Sequence, residues 1–305
     1  MPRVDVRRVL RIAGHLARIA LGVIFVASGV LKSLDVAEFS RQTAEYGLIG
    51  PGLSSLAAPF LIALETTLGV ALLIGFRPRL AALCTGMLLI FFITLEAWAI
   101  SKGHTESCGC FGAYVKRTPA QVIMEDLGFL ALAVLAMTGL GTWQARRAQR
   151  ASVVVAVVAL VSLGFAMASP HLPIDPWVTT LRAGKMVQDL GLAKHLPEEG
   201  PRGTLVALLD VTQPEAKDAA AALNAVADGP AGVKVIALTP SSEQEQAAFL
   251  WEASPAFEVV PVDRGLLKPL YRRLPVYFLV REGRVTRVFQ GPRPPAPDLL
   301  SSPTL

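Results

Sequence analysis

The first half of the chain is dominated by long apolar runs that carry almost no charge. Because the hydrocarbon core of a bilayer is about 30 Å thick, it takes about 20 apolar residues of helix to cross it. Five runs reach that length, so the pattern predicts five membrane-spanning helices. They cover residues 12–34, 53–76, 79–100, 119–142 and 151–169.

After residue 170 the pattern changes to that of a water-soluble α/β domain. Short apolar runs typical of strands alternate with helical segments, and two further strands flank the turn Arg281-Glu282-Gly283. The runs that predict strands cover 204–210, 232–238 and 257–263, and the helical segments cover 214–228 and 241–253. This alternation predicts an α/β sandwich, and we expect the proline-rich tail after Gly291 to be frayed.

Charge adds an orientation to this picture. The chain has 29 Lys+Arg and 24 Asp+Glu, and its apolar half holds 15 of the basic and only 9 of the acidic residues. With the N-terminus inside, nine arginines flank the cytoplasmic ends of the spans, against five basic residues in the opposite short loops. We therefore expect a multi-pass protein of a bacterial inner (plasma) membrane, with the N-terminus cytoplasmic and the C-terminal domain periplasmic. Lipid is the expected partner and nucleic acid is not.

The fifth span has two interpretations. It is preceded by the basic segment RRAQR and ends in AMAS, a combination that resembles an internal signal peptide. We favour an uncleaved membrane anchor, and cleavage stays open as the alternative.

Two of the three cysteines form the motif Cys108-Gly109-Cys110 in the loop between spans three and four. The expected orientation places this loop in an oxidising compartment, where two such cysteines can close a small, strained and labile disulfide. Cys108 and Cys110 are therefore the candidate catalytic pair. Two alternatives remain: a static staple of the loop, or metal binding together with His104.

The third cysteine does not complete a relay. Cys84 lies about 24 Å below the outer end of span three at 1.5 Å per helical residue. Disulfide partners need Cα atoms within about 7 Å, so Cys84 cannot pair with the loop. We expect Cys84 to be a small buried hydrophobe, and a self-contained thiol-to-quinone reductase is not expected.

Charged side chains inside the spans are costly and therefore suggest function. They could form a proton-handling cluster below the cysteine loop, or a structural set of ion pairs and hydrogen bonds between helices. The aromatic side chains Phe91, Phe92 and Trp98 are expected to face lipid or the interface. The intramembrane polar candidates are Lys32, Glu65, Glu96, Glu125 and Asp126.

Several separated motifs resemble the MauE/DoxX family of small membrane proteins over residues 14–142. They are GVIFVASGVLKSLDVAEFSRQTAEYGLI, ALETTLGVALLIG and CGCFG. The resemblance implies a four-helix membrane bundle. The MauE branch is implicated in disulfide formation during maturation of an amine dehydrogenase, and DoxX relatives are tied to quinone-linked or thiol-stress functions. The functional positions carried over are Cys108 and Cys110, with Gly29, Lys32, Glu65 and Gly69 as motif positions of unassigned role.

The C-terminal half resembles the membrane-tethered periplasmic branch of the thioredoxin-like fold over about residues 185–295. Its most specific segment is LPVYFLVREGRVTRVFQG, in which Pro275 is the candidate for the cis proline before the penultimate strand. An ordinary trans turn proline is the alternative. No cysteine occurs after the first core strand, where the segment is Asp210-Val211-Thr212-Gln213-Pro214-Glu215. The resemblance therefore implies a degenerate domain, used for docking or support.

Together these features predict a DoxX/MauE-like four-helix transmembrane domain (1–150), a fifth transmembrane helix with linker (151–184) and a thioredoxin-like extracytoplasmic domain lacking C-x-x-C (185–305). We expect a thiol–disulfide redox protein that supports disulfide formation or maturation of an exported partner, with a client or a periplasmic thioredoxin-like protein as its partner. The alternatives are a non-enzymatic assembly or anchoring factor, and metal or cofactor handling through the loop. No motif in the sequence identifies a cofactor, and a quinone stays a candidate.

Overall fold

The computed structural model describes residues 6–45, 47–48, 50–103, 118–138, 145–229 and 232–301. The chain divides into two compact units, Met1–Leu172 and Pro173–Leu305. The first unit is helical, and the second contains a mixed sheet flanked by helices.

In the described part of the first unit there are six α-helices, and five regions are long and apolar enough to cross a membrane. The exception is α2, a short helix that the hydrophobic pattern did not predict. The helices are α1 (Val6–Leu34), α2 (Val36–Glu45), α3 (Pro51–Ile74), α4 (Pro78–Ser101), α5 (Pro119–Thr138) and α6 (Ala145–Ala168). These helices fit a membrane-embedded helical bundle.

Proline and glycine set the helix boundaries. Proline is the first residue of α3, α4 and α5, a position whose N–H has no partner within the helix. Gly75 ends α3 in the left-handed conformation (φ 68°), and its N–H bonds back into the last turn. Only three residues then separate α3 from α4, so the two helices must run in opposite directions.

Helices α1 and α3 approach closely through glycines. A Cβ added at Gly69 would lie 2.7 Å from the backbone nitrogen of Val26, and one added at Gly22 would lie 2.8 Å from Leu73 Cγ. At Gly29 a Cβ would overlap the hydroxyl of Thr66. Small residues allow this kind of backbone contact between membrane helices, where packing takes the place of the hydrophobic effect.

The end of the fifth span is integrated into the first unit. Ala166 of α6 is fully buried in a cluster with Phe39 of α2 and Ile62 of α3. Just beyond α6, the buried Ser169 donates its hydroxyl to the backbone carbonyl of Ser33 at 2.6 Å. Only 6% of the apolar window of the fifth span is buried, so most of its surface is available to lipid.

The second unit is built on a five-stranded sheet with the order β3-β2-β1-β4-β5. Strands β1, β2 and β3 are parallel, whereas β4 is antiparallel to β1 and forms a hairpin with β5. The strands are β1 (Thr204–Leu208), β2 (Lys234–Thr239), β3 (Glu258–Pro261), β4 (Val276–Arg281) and β5 (Arg284–Gln290). The helices are α7 (Asp175–Val178), α8 (Pro214–Ala227), α9 (Glu243–Ala253), α10 (Arg264–Leu267) and α11 (Pro297–Ser301).

Both faces of this sheet are covered. Alternate residues of β1 enter two separate apolar clusters, with Leu205 and Ala207 on one face and Val206 and Leu208 on the other. The first face packs against buried residues of α8 and α9, and the second against the segments before β1 and after β3. Burial on both faces explains why β1 is a continuous apolar run.

The prediction of a frayed C-terminal tail was wrong for the residues up to 301. Leu300 of α11 is completely buried in the core of the soluble unit. Arg281 and Arg287 donate to the carbonyls of Leu300 and Leu299 at 2.6 and 2.9 Å. One apolar residue and two arginines therefore fix a segment whose proline content suggested disorder.

Candidate functional site

The polar centre of the membrane unit is an ion pair between α1 and α3. Lys32 Nζ donates to Glu65 Oε1 at 2.6 Å, and both side chains are about 2% exposed. The second carboxylate oxygen of Glu65 accepts from the hydroxyl of Ser28 at 2.6 Å. These contacts follow from sequence spacing, because Ser28 and Lys32 lie one turn apart on the same face of α1.

Aromatic rings complete the surroundings of the lysine. Its ammonium lies 4.8 Å from the ring centroid of Phe39 in α2 and 4.9 Å from that of Phe92 in α4. A cation within about 6 Å of an aromatic face is attracted to it, most strongly where water is excluded. The expectation that Phe92 faces lipid was therefore wrong, because its ring contacts the buried lysine.

The glycine contacts place the ion pair where α1 and α3 are closest. Gly29 precedes Lys32 by three residues and packs on Thr66, the residue after Glu65. Gly69 lies one turn beyond Glu65 on α3. Two of the motif positions, Gly29 and Gly69, thus allow the approach that brings the other two, Lys32 and Glu65, into contact.

Two further acids are buried in the helices that flank the cysteine loop. Glu96 is 3% exposed near the end of α4, and Asp126 is 2% exposed near the start of α5. Glu96 follows Phe92 by one helical turn, so it lies on the face of α4 that carries the ring next to Lys32. Glu125 is half-buried. The described membrane helices thus hold three deeply buried carboxylates, those of Glu65, Glu96 and Asp126.

The cysteine motif lies outside the described residues, and so does His104. The segment that contains them joins Ser101 of α4 to Pro119 of α5, five residues after Glu96 and seven before Asp126. Cys84 is a free, half-buried thiol that packs against the apolar core of the bundle. Within the parts of the chain that the structure describes, no group of three metal-ligating side chains occurs.

Sequence reasoning missed a partly buried cation. Arg18 of α1 donates through one guanidinium nitrogen to the carbonyl of Leu72 and, at 3.4 Å, to that of Leu73. These carbonyls belong to the last turn of α3, and that of Leu72 also accepts from the N–H of Gly75. The available signal was an arginine inside the predicted first span, 12–34.

In the soluble unit, the loop after β1, where the expected thioredoxin-like fold would carry its redox pair, holds a hydrogen-bonded carboxylate. Asp210, just after β1, accepts from the backbone N–H and hydroxyl of Thr212 at 3.1 and 2.6 Å. It also accepts from Ser241 Oγ at 3.3 Å and from Gln213 Nε2 at 3.3 Å. Arg264 lies 3.9 Å from its other oxygen. The carboxylate is held by four donors, which favours a rigid loop.

The segment before β4 lies at the same edge of the sheet. The Leu274–Pro275 peptide bond is cis, and Val276 at the start of β4 pairs with Leu208 at the end of β1. A cavity of about 490 Å³ opens beside this strand, lined by residues that include Pro176, Leu181, Arg182, Val276 and Val288. One residue further into β4, burial raises the pKa of the Tyr277 phenol, which therefore stays neutral.

The fold and the buried polar site define a class: a multi-pass membrane protein whose helical bundle is followed by a mixed α/β domain. Comparison with known proteins narrows this class. Residues 10–139 match the family described as Methylamine utilisation protein MauE. The membrane part of the chain is therefore MauE-like, and the match includes α1 from Leu10 onward, α2 to α5 and the cysteine loop.

A curated relative gives a second point of comparison. The chain is similar to Protein TlpB of Flavobacterium psychrophilum, with 31% identity over 118 residues. The matched region is 36% of this chain and 32% of TlpB, so the chain spans about a third of the length of that relative.

Proposed function

We propose that this protein is a membrane-bound thiol–disulfide redox protein that supports disulfide formation or maturation of an exported partner. The observation that carries the proposal is the MauE match. It spans, in one stretch of 10–139, both the Cys108-Gly109-Cys110 motif and the buried Lys32–Glu65 pair. Charge asymmetry supports a periplasmic position for the cysteine loop and for the soluble domain.

The proposed cycle has two steps. A client thiolate attacks the Cys108–Cys110 disulfide to form a mixed disulfide, and the second client thiolate then displaces it. The client gains a disulfide, and Cys108 and Cys110 become thiols. Reoxidation removes two electrons and two protons from the pair, and a quinone or a periplasmic thioredoxin-like disulfide is the candidate acceptor.

The buried acids have a role in this proposal. Reoxidation of the pair releases two protons, and Glu96 and Asp126 lie on the two helices that lead into the loop. We assign proton acceptance to these carboxylates. Lys32 and Glu65 form a charged centre about one helical turn deeper in the bundle than Glu96. The contact of Lys32 with the ring of Phe92 keeps the end of α4 in place.

The soluble domain is proposed to be a degenerate thioredoxin-like module that docks the client. Its support is the strand order, in which a parallel β-α-β unit is joined at β1 to an antiparallel hairpin, with a cis proline before β4. The hydrogen-bonded Asp210 stands where a redox cysteine would be needed. Thiol chemistry is therefore assigned to the membrane part alone.

A second candidate is an assembly or anchoring factor in which Cys108–Cys110 only staples the loop. The Lys32–Glu65 pair favours this candidate, because an ion pair that joins α1 to α3 stabilises the bundle without any contribution from the cysteines. The two candidates differ in whether the cysteine pair changes its redox state.

Thiol trapping in cells distinguishes them. In a Cys84→Ser background, alkylation after acid quenching should show Cys108 and Cys110 in both reduced and oxidised forms, with the reduced fraction rising when the client is overproduced. Cys110→Ser should accumulate a reductant-sensitive adduct, which forms when the Cys108 thiolate attacks the disulfide of the oxidised client and persists because Cys110 is absent and cannot release the client.

The controls are Cys84→Ser, which should retain function, and Cys108→Ser/Cys110→Ser, which should lose it. A single unchanging oxidised form, together with a functional double-serine variant, would establish the assembly factor instead. Metal analysis of the purified wild-type chain tests the remaining alternative, metal handling by the loop.

A further inference from the structure

The first residues of the soluble unit carry an unusually exposed tryptophan. Trp177 in the short helix α7 is 85% exposed, and the neighbouring Pro173 and Pro176 are exposed as well. Large apolar side chains at the surface of soluble domains often mark an interaction site. Trp177 is therefore a candidate contact residue for another surface.

The turn that carries Trp177 is fixed to the soluble unit. Asp175 forms an ion pair with Arg272 at 3.6 Å, and both side chains are at least nine-tenths buried. Thr180 donates to the carbonyl of Pro269 through its N–H at 2.9 Å and through its hydroxyl at 3.1 Å. Since both flanks are held, the indole points away from the domain on a rigid support.

Chain length keeps this indole close to the bilayer. The fifth span ends at His171, and Trp177 follows six residues later. A chain extends by at most about 3.6 Å per residue, so Trp177 lies within about 22 Å of the end of the span. The interfacial layer, where tryptophan is enriched in membrane proteins, begins at that same end.

The charges around Trp177 fit a membrane surface. Between 172 and 188 the one acid is Asp175, which is neutralised by Arg272, whereas Arg182 and Lys185 are exposed. The segment 172–188 is therefore apolar and positive, with the exposed Asp189 directly after it, and it complements anionic lipid headgroups. Trp251 is equally exposed at 87%, but it lies on α9, which also carries Glu243, Glu245 and Glu252.

From these observations we infer that Trp177 inserts into the lipid interface and docks the soluble domain on the membrane surface. The ligand of this site is a phospholipid surface, with the indole at headgroup depth and Arg182 and Lys185 near the phosphates. This inference does not depend on the redox function, because it requires only the fifth span and the turn that follows it.

Lipid quenching of single-tryptophan variants tests the inference on the full chain. In one variant Trp98, Trp143 and Trp251 are replaced by phenylalanine, which leaves Trp177. In the matched variant Trp98, Trp143 and Trp177 are replaced, which leaves Trp251. Both are reconstituted in vesicles of phosphatidylethanolamine and phosphatidylglycerol, with or without phosphatidylcholine brominated near the headgroup end of its acyl chains.

Brominated lipid should reduce the emission of Trp177, and its emission maximum should lie at shorter wavelength than that of Trp251, whose emission should not change. If Trp177 is quenched no more than Trp251, the inference is overturned. Should the triple variants not fold, Trp177→Phe and Trp251→Phe in the wild-type chain give the same comparison. Only the first should then reduce the bromine-sensitive part of the emission, to which Trp98 and Trp143 also contribute, and an equal reduction in both variants or no reduction in either also overturns the inference.

Discussion

At the scale of single residues, the Lys32–Glu65 pair combines two roles that must be separated by experiment. It is buried, hydrogen-bonded to Ser28 and in contact with two rings, which is what a structural ion pair requires. Through Phe92 it also contacts α4, one of the two helices that flank the cysteine loop. Stability and activity must therefore be measured on the same variants.

We expect Lys32→Met or Glu65→Leu alone to destabilise the protein by about 3–5 kcal/mol, since each leaves a buried charge without its partner. The double variant Lys32→Met/Glu65→Leu should recover most of this loss, because apolar pairs of similar volume often replace buried ion pairs at no net cost. Thermal unfolding in detergent measures both effects.

Lys102→Met is the matched control, because Lys102 is exposed and its ammonium lies 4.7 Å from the ring centroid of the exposed Trp98. It should change stability by less than about 1 kcal/mol. A double variant as unstable as the single ones would contradict the structural account. A stable double variant that no longer oxidises a client would assign the pair a chemical role.

The residue types at this site could be predicted from the sequence, but their partners could not. Charge inside an apolar run singled out Lys32 and Glu65. Their pairing depends on the antiparallel register of α1 and α3, which no local pattern encodes. The same reason explains why Phe92 was assigned to lipid: its contact with Lys32 comes from a different helix.

At the scale of elements, length and hydropathy were sufficient for the membrane spans and insufficient for the short helices. The five predicted spans correspond to described helices, but α1 begins six residues earlier, at Val6, and α6 begins six residues earlier, at Ala145, while the predicted end of span four (139–142) lies outside the described residues. The short helix α2 was missed because its ten residues are mostly polar. It is stabilised by tertiary contacts, in which Val36 and Phe39 are buried against α3 and α6.

The contact between α1 and α3 makes a prediction at this scale. Gly69→Ala places a Cβ 2.7 Å from the backbone nitrogen of Val26, which cannot rotate away. The helices must separate, and we expect a loss of about 1–3 kcal/mol, as is typical of overpacked cores. Unfolding in detergent again provides the measurement.

Gly128→Ala provides the matched control, because a Cβ at Gly128 meets no atom within 4 Å. Alanine is the better helix former by about 1 kcal/mol, so this variant should be neutral or stabilised. Equal effects of the two substitutions would show that helix propensity, rather than the contact between α1 and α3, determines the outcome at Gly69.

At the scale of the whole molecule, a bundle of membrane helices and a soluble α/β domain share one chain. The fifth span joins them, and its end is packed rather than exposed. Ser169 lies in the AMAS segment that resembles a cleavage site, and it is fully buried with its hydroxyl on the carbonyl of Ser33.

We therefore expect the chain to stay intact, because a processing peptidase needs an extended and accessible backbone. An immunoblot against a C-terminal tag should show only the full-length protein of 32.5 kDa in the membrane fraction. A fragment of about half that size in the soluble fraction would contradict this expectation. Ser169→Ala is informative as well, since it removes the hydrogen bond without adding bulk.

The hydrogen bond between Ser169 and Ser33 also limits how early during synthesis the membrane unit can complete its folding. It spans 136 residues of sequence, so it cannot form until all the helices of the bundle have left the ribosome. The first and last spans are thus held together by the last residues of the membrane unit to be synthesised. All residues of the membrane unit have therefore been synthesised before the first strand of the soluble domain, so the membrane unit can fold first.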